Sequence, residues 1–519
     1  MKKIISLLLV CSFLLLALIA CGKPEEKPSG TAGPTETEQP TDEMGQPSLG
    51  VDKSKWAELN FEGETLNVMV RNDEKVYREW ETYESGGDAL DEAITTRNDI
   101  VESELDLEVN IIPVANADYR ECLSIYTQLI SDDITNKLHE YDIIAHFAYV
   151  AAMPAIRDFN ANLLDKDTFP HFNFDLPCWN QSIAQNVRSN GKLFYIAGDM
   201  NLSLFDSAMI MWHNMDLYDT IEKTPEDPES IQELAMAGKW TFAELYKWCT
   251  MYHVDDDQNS DCGDNYALYL EMDYVTQPND AIPYAWDIDV LTTNPDGTHQ
   301  FNIVGNDKLG KAVNNWQNLQ QAEGVKPKHT CNCGAKVSHF VLGDRLFMTD
   351  ILYRSKADNV ALREMRDEYS ILPLPKYDEG QANYGSTSQD YYTLMSVLDH
   401  SGSPVKTKGE AISAYLEWGT EYSYTFVRGY YFTKIITQTW FGTDDSEGHV
   451  TNSRTLFYTI IDNLEFDFWT IHSPQLANIA HIIRYALRDG GSVETEYTTN
   501  RDKYDDALTL MDNWYLDRG

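Results

Sequence analysis

Three stretches of the 519-residue chain set ligand-type side chains at spacings that chemistry uses. His329, Cys331, Cys333 and His339 offer four zinc-type donors close together. A C-x-C pair lacks the usual wider gap and no second pair follows, so no metal is assigned and the thiols read as unpaired or disulfide-bonded. The run Asp255-Asp256-Asp257-Gln258-Asn259-Ser260-Asp261 alternates oxygens like a calcium loop. Ser260 stands where that loop needs glycine and Tyr266 where it needs a bidentate glutamate, which leaves a solvated acidic loop. Gly305 to Ala312 has the spacing of a phosphate loop, but Ala312 replaces the hydroxyl that holds magnesium. Neither G-x-S-x-G nor H-E-x-x-H occurs, and the acidic pairs are too many for spacing to single out a glycosidase dyad. No cofactor site is read. What remains is binding chemistry: aromatic rings, 12% of the residues, with carboxylates, amides and arginines.

The elements that must position such groups follow from periodicity. Thr65–Val70 alternates as a strand, and Asp88 can cap a helix whose Leu90, Ala93, Ile94, Arg97, Val101 and Leu105 share one face. Val109–Val114 is a strand, Tyr119–Ile130 a helix and Tyr141–Ala145 a buried strand. Strand, helix, strand, helix, strand predicts a parallel sheet covered on both faces. Ligands of such sheets bind beyond the carboxyl ends of the strands. That rule points to Arg71-Asn72-Asp73 and to His146-Phe147-Ala148-Tyr149. Further on, Ala208–His213 reads as a strand, Thr241 and Glu244 as a capping box, and Asn294-Pro295-Asp296-Gly297 as a hairpin turn. Asn306–Gln320, Lys408–Trp418 and Asn478–Leu487 read as helices. Ile371–Pro375 is a strand whose prolines place it at an edge or a crossing.

Charge narrows the function classes. With 40 Lys+Arg against 83 Asp+Glu, the net charge is −43. Phosphate backbones and anionic lipid surfaces both require the opposite sign. The length suggests two or three lobes. Lys2 and Lys3 precede the apolar run Ile4–Ala20, which reads as a signal peptide over residues 1–20. Leu18-Ile19-Ala20-Cys21 resembles the bacterial lipobox, which implies lipid on Cys21. Residues 21–55, rich in Pro, Glu, Thr, Gly and Ser, then form a flexible linker. Six cysteines follow (Cys122, Cys178, Cys249, Cys262, Cys331, Cys333). That density is too low for a fold that depends on disulfides.

Seven motifs stand in family order: the lipobox with its linker, Tyr141–Ile144, Gly191–Ile196, Met211–Leu217, Gly238–Thr241, Leu342–Phe347 and Leu372–Tyr377. Together they resemble the carbohydrate-type extracellular solute-binding lipoproteins of ABC importers. The resemblance implies an α/β fold of two lobes, of the periplasmic-binding-protein type, hinged by two or three crossing segments. Residues 56–207 with 394–450 would form lobe 1, and 208–393 with 451–519 lobe 2. It implies a monomeric, non-enzymatic receptor, lipid-anchored on the extracellular face of a bacterial cell membrane. Such a receptor would close on an oligosaccharide and hand it to ABC permease subunits. A surface-anchored glycoside hydrolase or lyase is the alternative. Sugars present C–H faces and a rim of hydroxyls, so rings and hydrogen-bonding side chains at strand ends and crossings are the candidates. They are Arg71, Asn72, His146, Tyr149, Trp179, Asp199, Asn201, Trp286, Tyr384, Ser386, Asp390 and Trp469.

Overall fold

The computed structural model describes residues 53–82, 87, 89–115, 119–148, 159–255, 264–270, 278–326, 336–355, 361–399, 403–432 and 449–517. The signal peptide, Cys21, most of the linker, Asp88, Tyr149, Cys262, the His329–Cys333 cluster and the side chain of Cys122 lie outside them. Among the described residues no helix is long and apolar enough to cross a membrane.

In the first lobe, β1 (Glu64–Asn72) pairs in parallel with β2 (Leu107–Ala115) on one side and β3 (Ile143–Phe147) on the other. Helix α1 (Ala89–Leu105) buries the six-residue stripe that the spacing predicts. It packs into the same core as Leu66, Val68 and Val70. Met69, turned the other way by strand alternation, joins Tyr126 and Ile130 of α2 (Tyr119–Asn136). One sheet therefore carries helices on both faces, as a parallel sheet requires.

The chain then builds a second sheet from β4 (Met209–Asn214), β5 (His253–Val254), β6 (Asn265–Tyr269), β9 (Val325–Lys326), β10 (Arg345–Ile351) and β11 (Tyr369–Leu372). Between β6 and β9 a hairpin, β7 (Leu291–Thr293) and β8 (His299–Phe301), turns at Gly297, whose φ of 84° suits glycine. The sheet order is β11-β4-β10-β6-β5, with β9 also on β6. The proline-flanked β11 thus sits at an edge. Helix α3 (Phe242–Met251) starts after Thr241, but no side-chain cap forms there. Thr241 is instead drawn into a bridge with Lys376, whose carbonyl accepts from the Phe242 N–H at 2.8 Å. Helix α4 (Asp307–Leu319) is capped by Asn306, so the phosphate-loop look-alike is an ordinary helix start.

After β11 the chain returns to the first sheet as β12 (Thr393–Val397), antiparallel to β3. Helix α5 (Val405–Tyr422) packs against α1 and continues through a π turn at Ser423–Val427. Helix α6 (His449–Asp462) lies on β11 in the second lobe. The passages between the sheets run side by side. Ala208 bridges Ser388 antiparallel, with Met209 N–H donating to Thr387 O at 3.0 Å. A third segment lies along them: Ser386 bridges Leu464 in parallel, and Glu465 N–H donates to Ser386 O at 2.8 Å. Helices α7 (Ile482–Asp489) and α8 (Arg501–Asp517) close the chain.

Candidate functional site

Between the two sheets, beside this three-segment seam, lies a cleft of about 670 Å³. Its first wall is the carboxyl end of β3, Phe147 and Ala148. Its floor is the seam, with Met209 and the run Thr387–Tyr392. Its far wall comes from the second lobe: Asp280 and Tyr284, then the segment from Phe466 to Arg484, including Thr470, Ser473, Asn478 and His481. The volume falls in the range of small-molecule sites, about 300–1,000 Å³. The position obeys the strand-end rule.

The walls set five aromatic rings (Phe147, Tyr284, Tyr391, Tyr392 and Phe466) among polar side chains and a few charges. Asp280 and Arg484 form an ion pair across the base of the far wall. Asp390 is exposed at the cleft surface, with the protein walls close around its carboxylate. That crowding, reinforced by the nearby Asp280 carboxylate and opposed by Arg484, raises its pKa to about 6. Burial also lowers His481 to about 4, so the imidazole is neutral at pH 7. The Tyr284 hydroxyl meets the Thr470 hydroxyl at 2.8 Å, and the Tyr391 hydroxyl donates to Asp73. Both rings are thereby held with their hydroxyls engaged.

The candidate residues scatter around this cleft rather than converge in it. Asp390 lines it. Arg71 lies one layer behind, its guanidinium carbon 3.3 Å from the Phe147 ring centroid and 4.4 Å from that of Tyr391. Its Nη2 donates to Tyr391 O at 3.2 Å, while Nε and Nη1 make no hydrogen bond among the described residues. His146, also buried, packs its ring on Tyr126 and Phe147 and accepts from the Phe147 N–H. Burial, helped by the Arg71 charge, keeps its pKa well below the usual histidine value. Asn72 ends β1 and is exposed. Ser386 donates to Met209 O at 2.6 Å within the seam.

The other candidates are built into the interior. Trp179 donates to Glu417 Oε2 at 2.9 Å among Phe172 and Phe174. Trp286 donates to Pro375 O at 3.0 Å among Phe242, Trp316 and Tyr377. Tyr384 donates to Ala235 O, and Trp469 donates to Asp467 Oδ2. Asp199 pairs with Arg428, and Asn201 accepts from the Gly198 N–H. The sequence reading did not pick out Tyr284, Asp280, Arg484, His481, Tyr391 and Tyr392. Only the tyrosine pair, directly after Asp390, carried a usable signal. Away from the cleft, His253, Asp255 and Asp264 bring ligand atoms within 4.8 Å of one another and could hold a metal ion.

No protein-family profile and no curated protein matches the sequence. Solved structures do match its fold. The chain superposes on the sugar-binding protein MalE of Xanthomonas citri with a TM-score of 0.55 and 10% identity, over 88% of this chain and 100% of that one. A sugar transporter from Rhizobium etli in an open conformation gives 0.50 and 14% identity, over 87% and 98%. At such identities the likeness is one of architecture. The chain has the two-lobed α/β fold of the periplasmic-binding-protein type.

Proposed function

We propose that this chain is a membrane-tethered extracellular receptor that captures an oligosaccharide by hinge closure and delivers it unaltered to the permease subunits of an ABC importer. The observation that carries the reading is the aromatic cleft between two lobes joined by a three-segment seam. Rings for C–H faces and a few carboxylate, hydroxyl and guanidinium groups for a rim of hydroxyls are what a sugar needs. The fold is shared with a sugar-binding protein and a sugar transporter, which supports the same class. Asp390 touches the solute directly, with Arg71 and His146 backing the wall it rests on.

In this reading residues 56–207 with 394–450, and 208–393 with 451–519, are the bodies that close. A solute bridging both stabilises the closed state by its differential affinity. Lipid on Cys21, with residues 21–55 as tether, holds the monomeric receptor at the extracellular face. Tethering raises its concentration at the permease. A thermal-shift screen over maltose- and cellulose-series oligosaccharides is the test. A bound sugar at 100 times its Kd adds about 2.7 kcal/mol of stability, and chromatography afterwards must recover it intact. Release of shorter glycans would move the chain to the hydrolase class.

A further inference from the structure

The charges in the cleft wall do not balance. Asp280 is spent on Arg484. Asp390 makes no ion pair and no side-chain hydrogen bond to another residue among the described residues; its own backbone N–H and the more distant Arg484 charge act on it, and His481, which also lines the cleft, is neutral. One carboxylate is therefore left facing the space where a solute sits. The rings around it are not equivalent. Phe147 and Tyr391 already carry the Arg71 guanidinium, so they are poor partners for a second cation; Phe147 is buried, and the half-buried Tyr391 offers its edge of the cleft to the C–H face of a pyranose. Tyr284 and Tyr392 carry no such cation among the described residues; Tyr284 is fixed through Thr470 and Tyr392 is tilted on Phe466 at 4.9 Å.

We infer that the cleft selects a hydroxylated, sugar-like solute bearing one protonated amine, which pairs with Asp390 while its ring lies on Tyr391. The inference rests on the receptor reading above and narrows it to a charge class. A neutral sugar could donate hydroxyls to Asp390, but it would displace water from the exposed carboxylate without supplying a counter-charge. An ammonium supplies a charge-assisted hydrogen bond, roughly twice the strength of a neutral one. The net charge of −43 adds long-range attraction for the same sign of solute.

Matched sugars test this on the full mature chain. Maltose and cellobiose, the mono-amino derivative of each with one hydroxyl replaced, and the N-acetylated form of that amine are titrated by calorimetry at pH 7.5. The amine should bind at least tenfold more tightly than its hydroxyl twin in one series, and acetylation should remove the gain. Asp390→Asn should bring the amine-to-hydroxyl affinity ratio close to one. Raising the salt from 20 to 500 mM should shrink the ratio in the unaltered protein, which gives a readout even if the variant folds poorly. Equal affinities for amine and hydroxyl would overturn the inference and leave the receptor reading intact. An amine gain that survives Asp390→Asn would overturn the role of Asp390. Failure of every sugar while a peptide binds would overturn both.

Discussion

Arg428 Nη1 stands 3.4 Å from Asp199 Oδ2, tying the helix beyond the π turn to the loop that precedes the first passage between lobes. The same guanidinium also pairs with the largely exposed carboxylate of Asp462. Two carboxylates compete for one cation, and Asp199 is the buried one. Burial, with the like charge of Asp462 adding to it and Arg428 opposing it, lifts its pKa to about 7.

A buried acid with a raised pKa holds its proton in the folded state after the unfolded chain has lost it. Stability from this group is therefore fully present below about pH 4 and declines as pH rises towards 7. Asp199→Asn should be more stable than the parent at pH 8 by about 1–3 kcal/mol, with the gap closing at pH 5. Urea melts at the two pH values check this, and an equal gap at both would refute it.

Gly385 lies in the seam, where an added Cβ would meet the Tyr284 carbonyl oxygen at 2.1 Å and its carbon at 2.9 Å. Gly385→Ala must push the backbone of a cleft residue aside, since neither atom belongs to a flexible side chain. Expected are a fall in Tm and weaker sugar binding than in Gly63→Ala, where no atom lies within 4 Å but φ is 75°. Comparable affinity in the two variants would show that the contact does not shape the cleft.

Two aromatic changes should separate core from cleft. Trp286→Phe removes a donor from Pro375 O and should cost about 1–3 kcal/mol of stability, with ligand affinity nearly unchanged in calorimetry. Tyr391→Ala removes a cleft face. It should weaken sugar binding tenfold or more, a loss of at least about 1.4 kcal/mol. The reverse pattern would put the solute elsewhere.

Arg484→Gln leaves Asp280 without its ion-pair partner and removes the positive charge that acts on the nearby Asp390. Because the pair is partly solvated, the destabilisation at pH 7.5 should be less than the roughly 3–5 kcal/mol of a fully buried pair. It should lessen at pH 5, as Asp390, with a pKa of about 6, takes up a proton and the repulsion of Asp280 falls away. Thermal melts across that interval measure it, and a penalty that grows on acidification would contradict the assignment.

Where residues make their contacts locally, the sequence reading and the structure agree. The stripe from Leu90 to Leu105 is buried on α1, Gly297 turns a hairpin and the proline-flanked β11 takes a sheet edge. The cleft was harder to read because a ring in a cleft and a ring in a core need the same apolar neighbours. Trp179, Trp286 and Trp469 went to the core, each with its indole N–H satisfied internally. Asp280 and Arg484 meet across 204 positions of sequence, a partnership that no local period encodes. The capping box at Thr241 failed for the related reason that a segment distant in sequence, at Lys376, bridges it.

The seam has a mechanical consequence. Ser386 is fastened to Met209 on one side and to Leu464 and Glu465 on the other. Three cords laced along one line leave a swinging motion about that line but resist sliding or corkscrew rotation, since either would tear the lacing. In the proposed closure the two halves would part like the covers of a bound book, and the phenyl and phenol rings of the cleft would return to the same page each time it shut.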